Sequence, residues 1–358
     1  MKEVVVVGAG RIGSTIAHML AHCGDYRITL VDRSQEPLSE IETGPALTTA
    51  VLDITDEASL VRLLTGKYAV VSAAPFQLTV AIATVAAKAG VHYLDLTEDV
   101  ESTRKVIEIA ASAKTAFIPQ SGLAPGFISI VANDLAGRFD SLDTIRMRVG
   151  ALPQYPSNAL KYSLTWSTDG VINEYIQPCE AIVDGKRMEV AALEGLEEFS
   201  LDGVQYEAFN TSGGLGSLTD TYKGKVQTLN YRTIRYPGHA AIMRMLLQDL
   251  RLKDRREVLK DVLEAAVPMT SQDVVVILVT VLGQRQGRLM QETYANKIYS
   301  GLVAGRQMTA IQITTATSAC AVFDLLATGK LPQKGFIRQE DITLEAFLEN
   351  RFGAPYRQ

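Results

Sequence analysis

The clearest indication of the fold class is the sequence VVVVGAGRIG, from Val4 to Gly13. Four consecutive β-branched residues are typical of a strand buried on both faces of a parallel sheet. The run leads directly into the pattern G-x-G-x-x-G, and residues 14–23 follow with the apolar spacing of a helix. Asp32 lies about 20 residues farther on, at the end of a second apolar segment. Together these features predict a dinucleotide-binding βαβ unit.

Each glycine of the fingerprint has a distinct expected role. Gly8 makes the tight turn, Gly10 lets the backbone approach a pyrophosphate, and Gly13 lets the helix pack close to its strand. The phosphates then meet free N–H groups at the positive end of the helix dipole. The carboxylate of Asp32 suits the ribose hydroxyls and repels a 2′-phosphate, which favours NAD. Arg33 suits a 2′-phosphate instead, so NADP remains possible.

Further cofactor contacts are predicted where later strands end. Asp53 and Ile54 follow the third strand, where they would meet the adenine edge; the alternative is a polar strand end without a ligand. The small residues of Ser-Ala-Ala-Pro-Phe at 72–76 let the backbone approach the nicotinamide half. The predicted cofactor-binding residues are Gly8, Ala9, Gly10, Arg11, Ile12, Gly13, Asp32, Arg33, Asp53, Ile54, Ala73, Ala74 and Pro75.

Strands and helices alternate through the first third of the chain and then give way to another pattern. The predicted strands are 4–7, 26–31, 50–52, 69–72, 93–96 and 115–118, and the predicted helices are 14–23, 57–64, 78–88 and 100–113. This alternation predicts a doubly wound parallel sheet. From about residue 142, period-two segments and the hairpin-type turns Asp184-Gly185 and Asp202-Gly203 predict an inserted α+β domain on an antiparallel or mixed sheet. Long strands are expected at 274–282 and 288–299, and helices at 240–247, 255–266 and 314–327.

Composition restricts the partners of the protein. The chain has 358 residues, 47% of them hydrophobic, and 35 Lys+Arg against 40 Asp+Glu, a net charge of −5. Its length predicts about two domains, and its charge does not suggest a nucleic-acid partner. The strongly apolar run 274–283 is about half the ~20 residues that span a bilayer, so no membrane partner is expected. Three scattered cysteines, four histidines and an N-terminus unlike a signal peptide predict no metal site and a cytoplasmic location.

Several longer motifs carry a family resemblance that covers almost the whole chain. The motifs are GAGRIG at 8–13, SAAPF at 72–76, HYLDLTED at 92–99, SGLAPGF at 121–127, GALPQ at 150–154, KYSLTWS at 161–167, EAFNTSGGLGSL at 207–218 and TIRYPGH at 233–239. With them the sequence resembles the saccharopine dehydrogenase-like oxidoreductases, and the lysine 6-dehydrogenase type most closely. The resemblance implies an NAD(P)-dependent enzyme that acts on a small amino acid or amine.

The resemblance also implies a domain plan and a set of substrate contacts. A Rossmann domain of residues 1–125 plus 312–358 would be interrupted by a substrate-binding and dimerisation domain at 126–311, so a homodimer is expected. Thr97 matches a position near the nicotinamide and substrate, and Trp166-Ser167 match the wall of the substrate cleft. Arg235 matches the arginine that holds a substrate carboxylate, for which a planar guanidinium is well suited.

Candidate catalytic groups come from the residues themselves. Oxidation of an amine-bearing carbon requires a base and an activated water. Asp95, at a strand end, is the first candidate for holding the amine or acting as the base. His239 is the second candidate because imidazole titrates near neutrality. Tyr236, which stands between Arg235 and His239 on the chain, is added to the substrate-binding set; a surface turn would look alike.

Three functions remain open. Saccharopine reductases have an acidic residue in the G-L-x-P-G motif where this chain has Ala124, as lysine 6-dehydrogenase-like sequences do. Oxidative deamination of lysine at its side-chain amine is therefore the leading hypothesis. The second hypothesis is a saccharopine or carboxynorspermidine dehydrogenase or reductase acting on a secondary amine. The third is a non-catalytic nucleotide-sensing protein.

Overall fold

A computed structural model describes residues 1–357 of the chain. These residues form two compact units. The first comprises Met1–Phe127, Ala304–Arg306 and Gln312–Arg357, and the second comprises Ile128–Val303 and Gln307–Ile311. The first unit is therefore discontinuous in sequence, with most of the second unit lying within it along the chain.

The N-terminal part of the first unit alternates strands with helices. Its strands are β1 Lys2–Val7, β2 Tyr26–Asp32, β3 Leu47–Val51, β4 Ala69–Ser72, β5 His92–Asp95 and β6 Ala116–Ile118, and its helices are α1 Arg11–His22, α2 Gln35–Ser39, α3 Glu57–Leu64, α4 Thr79–Ala89 and α5 Val100–Ser112. The third strand begins three residues before the predicted start at Ala50. Helix α2, which the sequence analysis missed, is only five residues long and has no clear apolar period.

These strands form a parallel sheet in the order β3-β2-β1-β4-β5-β6. Val4 to Val7 of β1 are almost completely buried, as a central parallel strand requires. Because all strands run the same way, their carboxyl ends lie at one edge, which we call the nucleotide edge. The strand order reverses between β1 and β4, and ligands bind at such a switch point in open α/β sheets.

The second unit is built on a mixed sheet. Its strands are β7 Ser141–Pro153, β8 Cys179–Val183, β9 Lys186–Val190, β10 Glu197–Leu201, β11 Val204–Asn210, β12 Thr228–Arg235, β13 Asp273–Arg285 and β14 Arg288–Tyr299, followed by the short pair β15 Gly301–Val303 and β16 Arg306–Met308. The main path is β10-β11-β12-β7-β13-β14, in which only β12 and β7 are parallel. Asp184-Gly185 and Asp202-Gly203 occupy the predicted hairpin turns, all four with positive φ. The expected fold class, a Rossmann sheet with an inserted α+β domain, is confirmed.

Five α-helices lie between residues 127 and 266 of the chain. They are α6 Phe127–Ala136, α7 Thr168–Ile176, α8 Leu218–Thr221, α9 His239–Arg244 and α10 Arg256–Ala266. The apolar cluster beneath α7, α9 and α10 includes Tyr175, Phe209, Met243 and Leu263. The sequence analysis predicted one helix at 240–247, but α9 ends at Arg244 and a π-helical turn, Met245–Asp249, continues it.

The C-terminal segment completes the first unit. It contains α11 Ala310–Ala327, the short strand β17 Gly335–Phe336 and α12 Leu344–Glu349. Strand β17 pairs in parallel with β6 and makes the sheet seven-stranded. Asp324 of α11 accepts hydrogen bonds from Tyr26, Asn350 and Arg351, so β2, α11 and the last turn share one buried carboxylate.

Helix α11 is the one described helix that is long and apolar enough, by length and composition, to span a membrane. The apolar run at 274–283 lies within strand β13. Because 83% of α11 is buried, this helix has the character of a core helix rather than of a lipid-facing one.

Candidate nucleotide site and arginine cluster

The glycine-rich turn between β1 and α1 has a geometry that explains its three glycines. Gly8 has φ of +97°, and a Cβ there would lie 2.7 Å from the Ala73 carbonyl oxygen. A Cβ on Gly13 would lie 1.9 Å from the Gly8 carbonyl oxygen. A Cβ on Gly10 would meet no atom within 4 Å. Gly8 and Gly13 are therefore required by the protein itself, whereas Gly10 leaves open space at the nucleotide edge.

The N-terminus of α1 is suited to an anion. Gly10 is the N-cap residue, and no side chain caps the helix. The first N–H groups of a helix have no partner within the helix, and they carry the positive end of its dipole. Open space at Gly10 and uncapped N–H groups fit the pyrophosphate of a dinucleotide.

Asp32, at the end of β2, is fixed beside the turn. Its Oδ2 accepts a hydrogen bond from the Ala9 N–H at 2.8 Å, and its Oδ1 accepts one from the Ser34 N–H at 3.0 Å. Each carboxylate oxygen accepts more than one hydrogen bond, so Asp32 keeps acceptor capacity for ribose hydroxyls. Arg33 is exposed and also follows β2.

The remaining predicted cofactor residues lie at the same edge. Ala73 follows β4, and its N–H donates to the Val7 carbonyl at 2.8 Å, which joins the two central turns. Asp53 is exposed, and its Oδ1 accepts hydrogen bonds from the N–H and hydroxyl of Thr55 at 2.9 and 2.7 Å. Ile54 beside it is buried. The Asp53 side chain thus stabilises the turn that follows β3, and its contact with adenine stays a prediction.

Asp95 at the end of β5 is buried and fully engaged. Its oxygens accept hydrogen bonds from the Tyr93 hydroxyl at 2.8 Å, the Thr97 N–H at 3.0 Å and the Gln120 N–H at 2.9 Å. Burial raises the pKa of Asp95 to about 6, although the three hydrogen bonds act to lower it. With 1% of its surface exposed, Asp95 organises two loops, and the structure does not support the predicted contact with a substrate amine.

The side chains of residues 97–99 make different contacts. The Thr97 hydroxyl accepts the Asp99 N–H at 3.2 Å, and Asp99 caps α5 by accepting the Ser102 N–H at 2.8 Å. Glu98 makes neither contact and is half-buried. Burial, with the nearby charges of Asp99 and Asp95, raises the pKa of Glu98 to about 7. Glu98 is thus a carboxyl group at the nucleotide edge that titrates near neutrality, which the sequence analysis did not single out.

Arg235, at the end of β12 in the second unit, is a buried cation. It is 3% exposed, and no carboxylate oxygen in residues 1–357 lies within 4.0 Å of its nitrogens. Its Nε donates to the Tyr175 hydroxyl oxygen at 2.9 Å, and its Nη1 donates to the Ile234 carbonyl at 2.8 Å. Its guanidinium carbon lies 4.8 Å from the centroid of the Tyr162 ring, a cation–π distance. Because an unpaired buried charge is unfavourable, this arrangement favours an anionic ligand.

His239 lies behind Tyr175. Its Nε2 is 3.1 Å from the Tyr175 hydroxyl, and its Nδ1 is 2.8 Å from the Leu160 carbonyl oxygen. Burial and the cation of Arg235 lower the pKa of His239 to about 3. A neutral, 1% exposed imidazole with both nitrogens bonded is a poor proton acceptor. The prediction that His239 acts as a base is therefore wrong. We call Arg235, Tyr162, Tyr175 and His239 the arginine cluster.

Glu207 of β11 holds the turn that carries His239. Its Oε2 accepts the Gly238 N–H at 2.8 Å and its Oε1 accepts the Ala240 N–H at 2.6 Å, at the N-terminus of α9. Glu207 also pairs with Arg235 in the β11–β12 register. The roles of Glu207 and Tyr175 were not predicted from the sequence. A signal existed for Glu207, because α9 begins without a Ser, Thr, Asp or Asn cap and its first N–H groups need an acceptor from elsewhere in the chain.

Three other predicted substrate residues are placed differently. Tyr236 points to the opposite face of the sheet from Arg235, because successive side chains alternate. There it stacks on Tyr206 at 5.8 Å and donates to the Pro153 carbonyl, so its predicted place beside Arg235 is wrong. Ser167 caps α7 by accepting the Gly170 N–H at 3.2 Å. Trp166 is half-buried against the apolar cluster of α7, α9 and α10.

Comparison with known proteins identifies the family. Residues 4–120 match the family model of the saccharopine dehydrogenase NADP binding domain, and residues 122–351 match the saccharopine dehydrogenase C-terminal domain. The chain belongs to the saccharopine dehydrogenase family. Members of this family are NAD(P)-dependent oxidoreductases of amino-acid metabolism, and the first unit is an NAD(P)-binding domain. The predicted family is thereby confirmed.

Individual relatives are distant. The mitochondrial alpha-aminoadipic semialdehyde synthase of Mus musculus is 21% identical over 253 residues, which is 67% of this chain and 27% of that protein. The Rattus norvegicus protein of the same name is 23% identical over 196 residues, 53% of this chain and 21% of its own length. The chain thus spans about a quarter of the length of these relatives. Apo saccharopine dehydrogenase (L-Glu forming) from Saccharomyces cerevisiae has the same fold, with a TM-score of 0.79, 17% identity and coverage of 97% of this chain and 95% of that one.

The glycine geometry makes a testable distinction between packing and binding. We expect Gly13→Ala to lower the free energy of unfolding by about 1–3 kcal/mol, because the new methyl overlaps the Gly8 carbonyl. We expect Gly10→Ala to retain the stability of the wild-type protein but to weaken NAD binding roughly tenfold, because its methyl fills the space for the pyrophosphate.

Urea denaturation and fluorescence titration with NADH measure these two effects. Equal destabilisation by both substitutions, or NADH binding unchanged in Gly10→Ala, would contradict the placement of the nucleotide at this turn.

Proposed function

We propose that this protein catalyses NAD(P)-dependent oxidation of an amine-bearing carbon in an amino acid with a free carboxylate. The observation that carries the proposal is the buried cation of Arg235, which has no carboxylate partner among residues 1–357. Family membership supplies the nucleotide. A carboxylate is the anion that every amino-acid substrate offers, and a planar guanidinium binds it with two parallel hydrogen bonds.

The more specific proposal is oxidative deamination of lysine at its side-chain amine. Ala124 stands in the G-L-x-P-G motif in place of an acidic residue, as in lysine 6-dehydrogenase-like sequences. The partners of Arg235 in the described chain are aromatic rings, a hydroxyl and a backbone carbonyl, and none is a second arginine. This supports a substrate with one carboxylate over saccharopine, which carries more.

We propose the following division of tasks for the described residues. Gly10 and the start of α1 bind the pyrophosphate, and Asp32 favours the unphosphorylated ribose of NAD. The bound nicotinamide supplies the hydride acceptor. Arg235 holds the substrate carboxylate and so fixes one end of the molecule. In the first unit, Glu98 is the proposed general base of the reaction, because a base with a pKa near the working pH is the most effective one.

The substrate class can be tested with a panel of amines. We expect NADH formation at alkaline pH from L-lysine, and markedly less from saccharopine, carboxynorspermidine or cadaverine, with NADPH as the parallel arm. We expect Arg235→Ala to raise the KM for lysine roughly 100-fold or more, because an ionic hydrogen-bonded partner is lost. Cadaverine has no carboxylate, so its kcat/KM should not change with this substitution.

Turnover of saccharopine but not of lysine would contradict the lysine assignment. An unchanged KM for lysine in Arg235→Ala would contradict the carboxylate contact. If no amine in the panel were oxidised while NADH still bound, a nucleotide-sensing function would be favoured instead.

The proton acceptor has a pH signature. Glu98 accepts a proton only when ionised, so kcat/KM should fall as the pH decreases through about 7, the pKa of Glu98. We expect Glu98→Gln to lower kcat about 10²- to 10⁴-fold and to abolish that acidic limb. Glu101→Gln, an exposed residue on the same helix α5 that pairs with Lys105, is the matched control and should behave as the wild type. Retention of the acidic limb in Glu98→Gln would exclude Glu98 as the base.

A further inference from the structure

The arginine cluster contains a hydrogen-bond chain whose direction is fixed by its two ends. The chain runs from Arg235 through Tyr175 and His239 to the Leu160 carbonyl oxygen, with donor–acceptor distances of 2.9, 3.1 and 2.8 Å. A guanidinium donates only, and a carbonyl oxygen accepts only. With a neutral imidazole, all three bonds form only if the Tyr175 O–H donates to Nε2 of His239 and the Nδ1–H of His239 donates to the Leu160 carbonyl oxygen.

This polarity requires one tautomer of a neutral imidazole. A protonated His239 would donate from both nitrogens, and the Tyr175 hydroxyl hydrogen would lose its acceptor. It would also place a second buried cation behind Arg235. Burial and Arg235 lower the pKa of His239 to about 3, in agreement with a neutral ring.

The surroundings of His239 hold the ring in this position. Phe209 lies parallel to it at 6.2 Å and Tyr162 meets it edge-on at 5.4 Å, while Glu207 fixes the backbone on both sides through Gly238 and Ala240. The imidazole is thus held by backbone, ring and hydrogen-bond contacts at once. Because the His239 imidazole is held on all sides and does not act as a base, we infer that it orients its hydrogen-bond partner, the Tyr175 hydroxyl.

The chain also determines which part of the guanidinium is free. Tyr175 takes the Nε–H and the Ile234 carbonyl takes one N–H of Nη1. Three of the five N–H donors of an arginine side chain then remain. In the described chain Nη2 has no hydrogen-bond partner. The Nη2 end of the guanidinium can therefore donate hydrogen bonds to a carboxylate.

We propose that Tyr175 and His239 are positioning residues for Arg235. His239, as the fixed Nδ1–H tautomer, turns the Tyr175 hydroxyl so that its oxygen accepts from Nε, which leaves Nη2 for the α-carboxylate of the amino acid. This inference rests on the proposed function of Arg235 and adds to it the two residues that aim the guanidinium.

The tautomer can be measured without any substrate. The chain has four histidines, so ¹⁵N-labelled imidazole signals can be assigned by substituting each in turn. We expect His239 to be neutral, with the proton on Nδ1, throughout pH 5 to 8. An imidazolium in this range, or a proton on Nε2, would overturn the proposal.

Substitutions test the consequence for binding. We expect Tyr175→Phe to raise the KM for L-lysine about 10- to 100-fold, the usual effect of losing a hydrogen bond to a charged group, with kcat and NADH affinity within about threefold of wild type. Tyr206→Phe is the control, because it removes a tyrosine hydroxyl from the other apolar cluster of the second unit. Kinetics with cadaverine should not respond to Tyr175→Phe.

A pair of substitutions at His239 separates its two hydrogen bonds. Gln at this position can place an acceptor near Nε2, whereas Asn is too short to do so but can donate near Nδ1. We expect His239→Gln to retain a KM for lysine near the wild-type value and His239→Asn to raise it as Tyr175→Phe does. Equal effects of the two substitutions would show that His239 acts through packing and would overturn its positioning role.

Failure of this inference is distinguishable from failure of the proposed function. If Arg235→Ala raises the KM for lysine and Tyr175→Phe does not, Arg235 binds the carboxylate without positioning by Tyr175, and the inference is wrong. If Arg235→Ala has no effect on lysine, the proposed function fails, and the inference fails with it.

Discussion

The guanidinium of Arg235 lies inside the second unit with no carboxylate oxygen of residues 1–357 within ion-pair distance, and much of the local structure serves to keep it there. Desolvating a charge is costly unless dipoles and hydrogen bonds replace the lost water. Here the replacements are the Tyr175 hydroxyl, the Ile234 carbonyl and the face of the Tyr162 ring. They form no ion pair with the cation, and the buried carboxylate of Glu174 raises the pKa of Arg235 only from beyond ion-pair distance. A site of this kind binds a carboxylate strongly because the charge has already been desolvated during folding.

The first unit follows from a different constraint, the parallel direction of its strands. Parallel strands place all their carboxyl ends at one edge, so Gly10, Asp32 and Ala73 lie together although they are far apart in sequence. The period of the apolar residues and the glycine fingerprint are local signals, and they allow this unit to be predicted from the sequence. Asp32 and Gly8 have the predicted positions because the βαβ unit leaves few alternatives.

The second unit is less accessible to sequence reasoning. Its alternating segments and hairpin turns predict strands, but they do not reveal which strands pair or which side chains face the same way. Tyr236 shows the consequence, since its position next to Arg235 in sequence places it on the opposite face of the sheet. His239 was expected to be a base from its ordinary pKa, but burial and the cation of Arg235 lower that pKa to about 3. Tyr175 is 60 residues from Arg235 along the chain, so only the fold brings them together.

Each unit holds a side chain whose pKa is changed by its surroundings, Glu98 in the first unit and His239 in the second. Burial is the main cause of both changes, because it disfavours the charged form of each group. It therefore lowers the pKa of the His239 imidazole and raises the pKa of the Glu98 carboxyl group. One group becomes a permanent neutral support, and the other becomes able to exchange protons at physiological pH.

Calorimetric titration of the NADH-saturated protein, in which no turnover occurs, measures whether Arg235 binds a carboxylate. L-lysine and its α-amide, lysinamide, differ only in whether the α-carbon bears a carboxylate or a neutral amide. The account predicts that lysine binds at least about tenfold more tightly than lysinamide, a difference of about 1.4 kcal/mol in binding free energy. Equal affinities would contradict it.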